Sequence, residues 1–392
     1  MGLRILHMIR SVNPAEGGPV EGVRQLSKVN HAFGHKIEVA SLDSPDAPWL
    51  DTIGTTVHPL GPGLGVYGYT ARLVPWLRLN AGNYDCVIIN GIWQFNTYGT
   101  WLALRHSKTP YFVFTHGMLD PWFKERYPFK HLKKWFYWPW GVYPVLRDAR
   151  AVFFTCEEER RLARQSFWLY DCDEIVLGYG TQGVPDPDRD YRPAFFQRHA
   201  RIEKQRLFLF LGRLHPKKAP DLFLRAVALL KANGFWRRNS MTVVMAGTGD
   251  PDYIEQLKTL AHELGIADNV YWAGLVLGDE KWGALQAAEV FVLPSHQENF
   301  GLAVVEALSA GTPTLISKQV NIWPEINRDG AGLADDDTAE GCARILKQWL
   351  LLPADLKQAM RVQATATFRT RYTASTAARS LIARLYLMLQ TG

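Results

Sequence analysis

The sequence predicts an α/β protein made of two doubly wound domains, each built on a parallel sheet. Short runs of apolar and β-branched residues alternate with longer stretches of helical spacing, and this rhythm breaks at a polar, Pro- and Gly-rich stretch before starting again. Size agrees: 392 residues, 47% of them hydrophobic, are enough for two cores of ordinary dimensions.

Taken in order, residues 3–9, 36–40, 86–90, 111–115 and 151–155 read as buried strands. The first run is broken by His7, is too short for a signal peptide and has no small-residue cleavage site, which leaves it as a strand. After 175–178, Gly180, Gly183, Pro185, Asp186, Pro187, Asp188, Asp190 and Pro193 crowd together. We expect a first domain over 1–187 and a linker over 188–204. The second domain, 205–371, then has strands at 207–211, 241–246, 269–272, 290–293 and 312–316, with helices at 221–230 and 253–264. The tail keeps helical spacing, and a last helix over about 372–392 is expected to pack back on the first domain.

The net charge of +6 suits nucleic acid, an anionic membrane or an anionic substrate such as a sugar diphosphate, and does not choose among them. Cys86, Cys156, Cys172 and Cys342 form no C-x-x-C pair and have no histidine at zinc-finger spacing, so reduced thiols are expected, without a disulfide framework or metal site. No segment offers the ~18 consecutive apolar residues needed to cross a bilayer.

Four loops carry candidate chemistry. Residues 298–306 follow a strand-like run and read as a strand, a loop and a helix start. The first helical amides there, with the macrodipole, form an anion site, and Gly301 lets backbone approach a diphosphate closely. Glu298 and Glu306, about two turns apart, can accept hydrogen bonds from sugar hydroxyls; alternatively one is a dipole-compensating acid and the other a solvated helix residue. Residues 208–218 run from a strand into Gly212, Arg213 and the pair Lys217 and Lys218. Arg213 can grip phosphate bidentately while Lys218 adds a point charge, unless this is simply an exposed basic loop. Gly247 and Gly249 end another strand, a weak signal alone. In the first half, Gly17 and Gly18 form a glycine loop that is neither G-x-G-x-x-G nor a P-loop, so the usual dinucleotide and ATP readings lose support. His116, followed by Gly117, sits at a strand end, where a lone histidine is more often structural.

These residues resemble glycosyltransferase family 4, whose E-x7-E signature is matched by Glu298 and Glu306 with Phe300, Gly301 and Leu302 between them and Gly212, Arg213 and Lys218 upstream. The resemblance covers nearly the whole chain. It implies a GT-B enzyme, two Rossmann-like domains with parallel sheets facing a central cleft, that retains configuration at the transferred sugar. By that resemblance Glu298 lies near the donor sugar, Glu306 holds the ribose, Arg213 and Lys218 take the diphosphate, and the Gly301 and Leu302 amides assist. His116 matches the cleft histidine beside the donor sugar, Gly17 and Gly18 the first glycine loop, with Phe300 on the donor-sugar side and Gly247 and Gly249 on the nucleobase side. The implied co-substrate is a nucleotide-diphosphate sugar with no cofactor and no metal; Asp335, Asp336 and Asp337 read as a solvated loop or helix start. The implied acceptor is a glycan or lipid-linked sugar in exopolysaccharide or lipopolysaccharide assembly. Ala219 departs from the glycine usual after the lysine, and the aromatic stretch 135–143 departs too.

Residues 121–138 interleave basic and aromatic side chains. That composition suits the headgroup zone of an anionic membrane, and so a cytoplasmic protein peripheral to the inner face of the plasma membrane; the other reading is a partly buried helix with packed aromatics and solvated lysines. A nucleotide-sugar epimerase and a non-catalytic glycan- or nucleic-acid-binding protein are the competing functions. The phosphate-site residues argue against the second, and no nucleic-acid partner is expected.

Overall fold

The computed structural model describes residues 2–126, 128–236 and 241–390. The chain divides into two compact units, Met1–Gly180 with Ala374–Gly392, and Thr181–Thr373.

The first unit is a seven-stranded sheet of β1 (Arg4–Ile9), β2 (Lys36–Ser41), β3 (Val57–Pro59), β4 (Cys86–Asn90), β5 (Tyr111–Phe114), β6 (Ala151–Phe154) and β7 (Glu174–Val176). They are parallel throughout, in the order β3-β2-β1-β4-β5-β6-β7. Every residue of β4, β5 and β6 is buried, which is why these strands read as unbroken apolar runs rather than alternating ones. On one face Phe112 stacks on Phe153 with ring centroids 5.1 Å apart, within a core completed by Ala377, Ala378, Leu381 and Leu385 of the C-terminal helix Ala374–Gln390. Burial of each such Phe or Leu contributes roughly 1.5–3 kcal/mol.

The second unit is a six-stranded parallel sheet of β8 (Arg206–Leu211), β9 (Met241–Ala246), β10 (Val270–Gly274), β11 (Ala288–Leu293), β12 (Thr314–Ser317) and β13 (Gly332–Asp335), in the order β10-β9-β8-β11-β12-β13.

Three features differ from expectation. The edge strands β3 and β13 are three and four residues long and were not foreseen. The stretch 188–204 is no open linker: it contains the helix Arg192–His199, packed on the helix Gly278–Ala287 inside the second unit. Its Phe195 is fully buried, His199 meets the Tyr271 hydroxyl and Glu280, each at 2.9 Å, and Tyr191 N–H donates to Gln286. The surrounding prolines and aspartates shape its turns and hid those anchors. Asp335 is likewise not in a solvated loop: it ends β13 and accepts two 2.8 Å hydrogen bonds from Arg344.

Candidate active site

In the second sheet the order of strand addition reverses beside β8, with β9 on one side and β11 on the other. The loops leaving the carboxyl ends of β8 and β11 therefore border the crevice where open α/β sheets take ligands. Arg213 and Lys218 leave the first of these strands; Glu298, Gly301, Leu302 and Glu306 follow the second. The two loops are tied together, since the Lys218 ammonium contacts the Glu298 carboxylate directly and the His296 N–H donates to the Lys217 carbonyl at 3.0 Å. Burial, joined by the charges of Lys217 and Arg213, pulls the Lys218 ammonium down to about 7. The touching Glu298 carboxylate acts the other way, and an arriving anion would do the same. Arg213 stands exposed, with no ion pair among the described residues, and is available to phosphate.

Glu298 is held by its backbone: its N–H donates to the Gln319 carbonyl and its carbonyl accepts from Asn321, both at 2.9 Å. Gly301 then takes a left-handed conformation, φ 75° and ψ 67°, at the N-cap of the helix Leu302–Ser309. A Cβ there would lie 3.0 Å from Val304 and 3.3 Å from the Glu298 side chain, which explains the glycine. Because Gly301 offers no side-chain cap, the helix opens with amides that no cap side chain covers, an arrangement suited to an anion. Glu306, on that helix, is 2.8 Å from the ammonium of Lys281, which lies over the Trp282 ring. Lys281 comes from the helix Gly278–Ala287 and carried no motif in the sequence; a ribose hydroxyl would share Glu306 with it.

Three further expected site residues have evident packing reasons. The Phe300 ring is buried edge-on against Tyr372, so it anchors the loop and leaves only backbone to face a sugar. Gly247 and Gly249 carry the β9 loop across the β8 loop: a Cβ on either would collide with the carbonyl of Gly212 or Leu214, and Leu214 N–H donates to the Thr248 carbonyl at 2.8 Å. They let the β9 loop pack against the loop that carries Arg213. Ala219, the departure after Lys218, sits at φ 50°, ψ 47° as the N-cap of the helix Pro220–Ala232, a position that favours glycine.

In the first sheet the reversal falls between β1 and β4. Gly17, at φ 84° and ψ −135°, turns the chain after β1 so that Gly18 opens the helix Gly18–Ala32. Asp43 fixes this loop, accepting from Ser11 Oγ at 2.6 Å, Val12 N–H at 2.8 Å and Trp49 Nε1 at 3.0 Å. His116 follows β5 in a left-handed conformation, φ 49°. Buried Glu159 holds it there by accepting from Thr115 Oγ and Gly117 N–H on either side, each at 2.6 Å, and from the Thr155 N–H and hydroxyl. The Tyr179 ring meets His116 edge-on while its hydroxyl donates to the Gly18 carbonyl at 3.1 Å, joining the glycine loop to the histidine.

His116 Nε2 lies 3.1 Å from Asn90 Oδ1, and Asn90 Nδ2 lies 3.2 Å from His7 Nδ1. Asn90 thus accepts from one imidazole and donates to the other, leaving His116 with an unprotonated Nδ1. Burial, helped by His7, pushes His116 down to about 3, and burial alone pushes His7 down to about 4. Both rings are neutral at physiological pH. Asn90, Asp43, Glu159 and His7 were missed as site residues because each acts across 26 or more residues of sequence, and their contacts arise only from the sheet order.

Among the described residues, no group of three or more His, Cys, Asp or Glu side chains is placed to hold a metal ion.

Two family models match the chain: one described as glycosyl transferases group 1 over residues 192–367, the other as a glycosyl transferase 4-like domain over residues 17–177. The chain is similar to a D-inositol 3-phosphate glycosyltransferase of Kineococcus radiotolerans, 35% identical over 235 residues, which are 55% of this chain and 52% of the relative. It spans about half the length of the curated relatives it matches. In fold it is similar to Anabaena HepE, crystallised in complex with UDP, with a TM-score of 0.78 at 17% identity over 98% of this chain and all of the other. It is also similar to WaaG, a glycosyltransferase involved in lipopolysaccharide biosynthesis, with a TM-score of 0.64 at 16% identity over 96% and 98% of the two chains.

Proposed function

The chain belongs to the group 1, family 4-type glycosyltransferases, and from that premise we propose that it is a metal-independent, retaining hexosyltransferase using a nucleotide-diphosphate sugar. The observation that carries this reading is the convergence at the β8/β11 reversal of Arg213, Lys218 and the open helix end at Gly301 and Leu302, with Glu298 on the loop after β11 and Glu306 on the helix that follows it.

The diphosphate would lie on the helix amides with Arg213 bidentate to its oxygens. As the bond from the sugar C1 to the phosphate oxygen breaks, negative charge grows on that oxygen, and fixed cations and amides stabilise it where it develops. Lys218 would exchange Glu298 for phosphate, freeing the carboxylate to accept from sugar hydroxyls. The acceptor hydroxyl would attack C1 from the face the phosphate leaves and pass its proton to the departing phosphate oxygen, which retains configuration without a covalent enzyme intermediate. His116, held down to about 3, is too weak a base to take the acceptor's proton and fits a hydrogen-bond partner for a hydroxyl. A nucleotide-sugar donor agrees with the UDP held by HepE, and a glycan or lipid-linked acceptor in exopolysaccharide or lipopolysaccharide assembly agrees with the role given for WaaG.

The test is proton NMR of the product formed from a panel of UDP-, GDP- and ADP-sugars with glycan and lipid-linked acceptors in EDTA. We expect a product with the donor's anomeric configuration. An inverted product would contradict retention, and isomerised donor without acceptor would reveal an epimerase.

A further inference from the structure

The helix Pro128–Tyr137 of the first unit carries an apolar stripe that faces water. It is amphipathic, yet no residue of it is buried. Phe129, Leu132 and Phe136, with Trp140 of the following turn, recur at helical spacing and are 85%, 52%, 64% and 78% exposed. Three side chains of the helix turn toward the protein. Lys134 lies over the Trp93 ring at 4.4 Å, His131 stacks on Phe167 at 5.0 Å, and the Tyr137 hydroxyl is 2.6 Å from that of Tyr67. The aromatic side chains are thus divided: His131, Tyr137 and buried Trp138 pack, while the stripe faces water beside the exposed Lys130 and Lys133. Exposed Trp168, from a separate segment, extends the surface by meeting Trp135 at 6.2 Å.

A stripe of this size is left in water only when something covers it. The charges around it identify what. Lys124, Arg126, Lys130 and Lys133 are all exposed beside the stripe. A second copy placed face to face would bring these like charges together, whereas an anionic bilayer neutralises them and accepts the aromatic rings at headgroup depth. No helix among the described residues is long and apolar enough to cross a membrane, so contact here would be along the surface.

We infer that Phe129, Leu132, Phe136 and Trp140, flanked by Lys130 and Lys133, form a docking surface for an anionic phospholipid membrane. The inference deepens the lipid-linked acceptor of the proposed function, but its test involves no sugar transfer. The full chain is sedimented with vesicles of phosphatidylcholine alone or with 30–40% phosphatidylglycerol, about a third anionic lipid as at a charged leaflet, at low and high salt. Wild type should pellet with the anionic vesicles at low salt and bind at least tenfold more weakly to neutral ones. The triple variant Phe129→Ser/Phe136→Ser/Trp140→Ser, and separately Lys130→Glu/Lys133→Glu, should each weaken binding tenfold or more. Unchanged thermal unfolding of both variants controls for folding, since every substituted side chain is exposed. Wild type that stays in the supernatant overturns the inference. So does equal binding by wild type and both variants, or a dimer in analytical ultracentrifugation that the triple variant dissolves, which would assign the stripe to a second copy.

Discussion

At the scale of single residues, the site is held by buried polar groups whose protonation is fixed by their surroundings. His7 and His116 have folded pKa values of about 4 and about 3, below the ordinary 6.5. Between those values the unfolded chain binds more protons than the folded one, so the stability these rings contribute is full above about pH 6.5 and is lost as pH falls. Glu38, held down to about 2, begins to contribute about a unit above its ordinary 4.5, which leaves about pH 6.5–5.5 as a window nearly free of its titration. Denaturant unfolding across that window should lose stability on acidification, and His116→Asn should flatten the slope by up to about 1.4 kcal/mol per pH unit; an unchanged slope would mean that His116 is not held neutral. Glu159→Gln would set an amide donor against the four donors that surround the carboxylate. It should destabilise the first unit by about 1–3 kcal/mol in the same experiment. Ala219 bears left-handed strain of about 1–2 kcal/mol, partly offset by the entropy a glycine would lose on folding. Ala219→Gly should therefore raise stability by up to about 1 kcal/mol, and a loss on calorimetry would show that the Ala219 Cβ packs favourably.

At the scale of elements, the informative joint is Gly301. Its left-handed φ lets the helix Leu302–Ser309 start immediately behind Glu298, with the first amides uncapped. Gly301→Ala should cost about 1–2 kcal/mol through the conformation alone, and it should weaken nucleotide binding by displacing Glu298; calorimetric titration checks the second effect, and unaltered affinity would detach this loop from the donor. The buried central strands were legible because parallel strands covered on both faces read as unbroken apolar runs, as in Phe208 to Leu211 or Val290 to Leu293. The strands β3 and β13 were not, since a three-residue edge such as Val57–Pro59 has too few side chains to establish a period. The helix Arg192–His199 was lost among turn-forming residues, although Tyr191 and Phe195 are its apolar anchors. The helix Pro128–Tyr137 showed its composition but not its orientation, because a pattern of apolar and basic residues does not state which face meets the protein.

At the scale of the whole molecule, the repeated α/β rhythm was readable in the sequence, and so were Arg213, Lys218, Glu298, Gly301 and Glu306 as candidates, because they lie on the loops, and the helix behind one of them, that follow the strands the pattern marks. Their companions were not: Lys281 reaches Glu306 from 25 residues away, and Asn90 reaches His116 from 26. Motif reading finds what one loop carries, whereas sheet order decides which loops meet. The division of the chain came out differently from composition for the same reason, with units meeting at Gly180 and Thr181 and again at Thr373 and Ala374. If the diphosphate reading is correct, Arg213→Ala should lower transfer roughly 10²–10³-fold with little change in stability, as expected for a fixed charge that acts on the leaving group; an active variant would move the diphosphate elsewhere. The most direct measurement is thermal unfolding of wild type and Glu306→Ala with UDP, GDP, ADP and their sugar conjugates in EDTA. One nucleotide series should stabilise wild type, by about 2.7 kcal/mol at a hundredfold excess over Kd, and should stabilise Glu306→Ala much less. A folded wild type that no nucleotide stabilises would contradict the account.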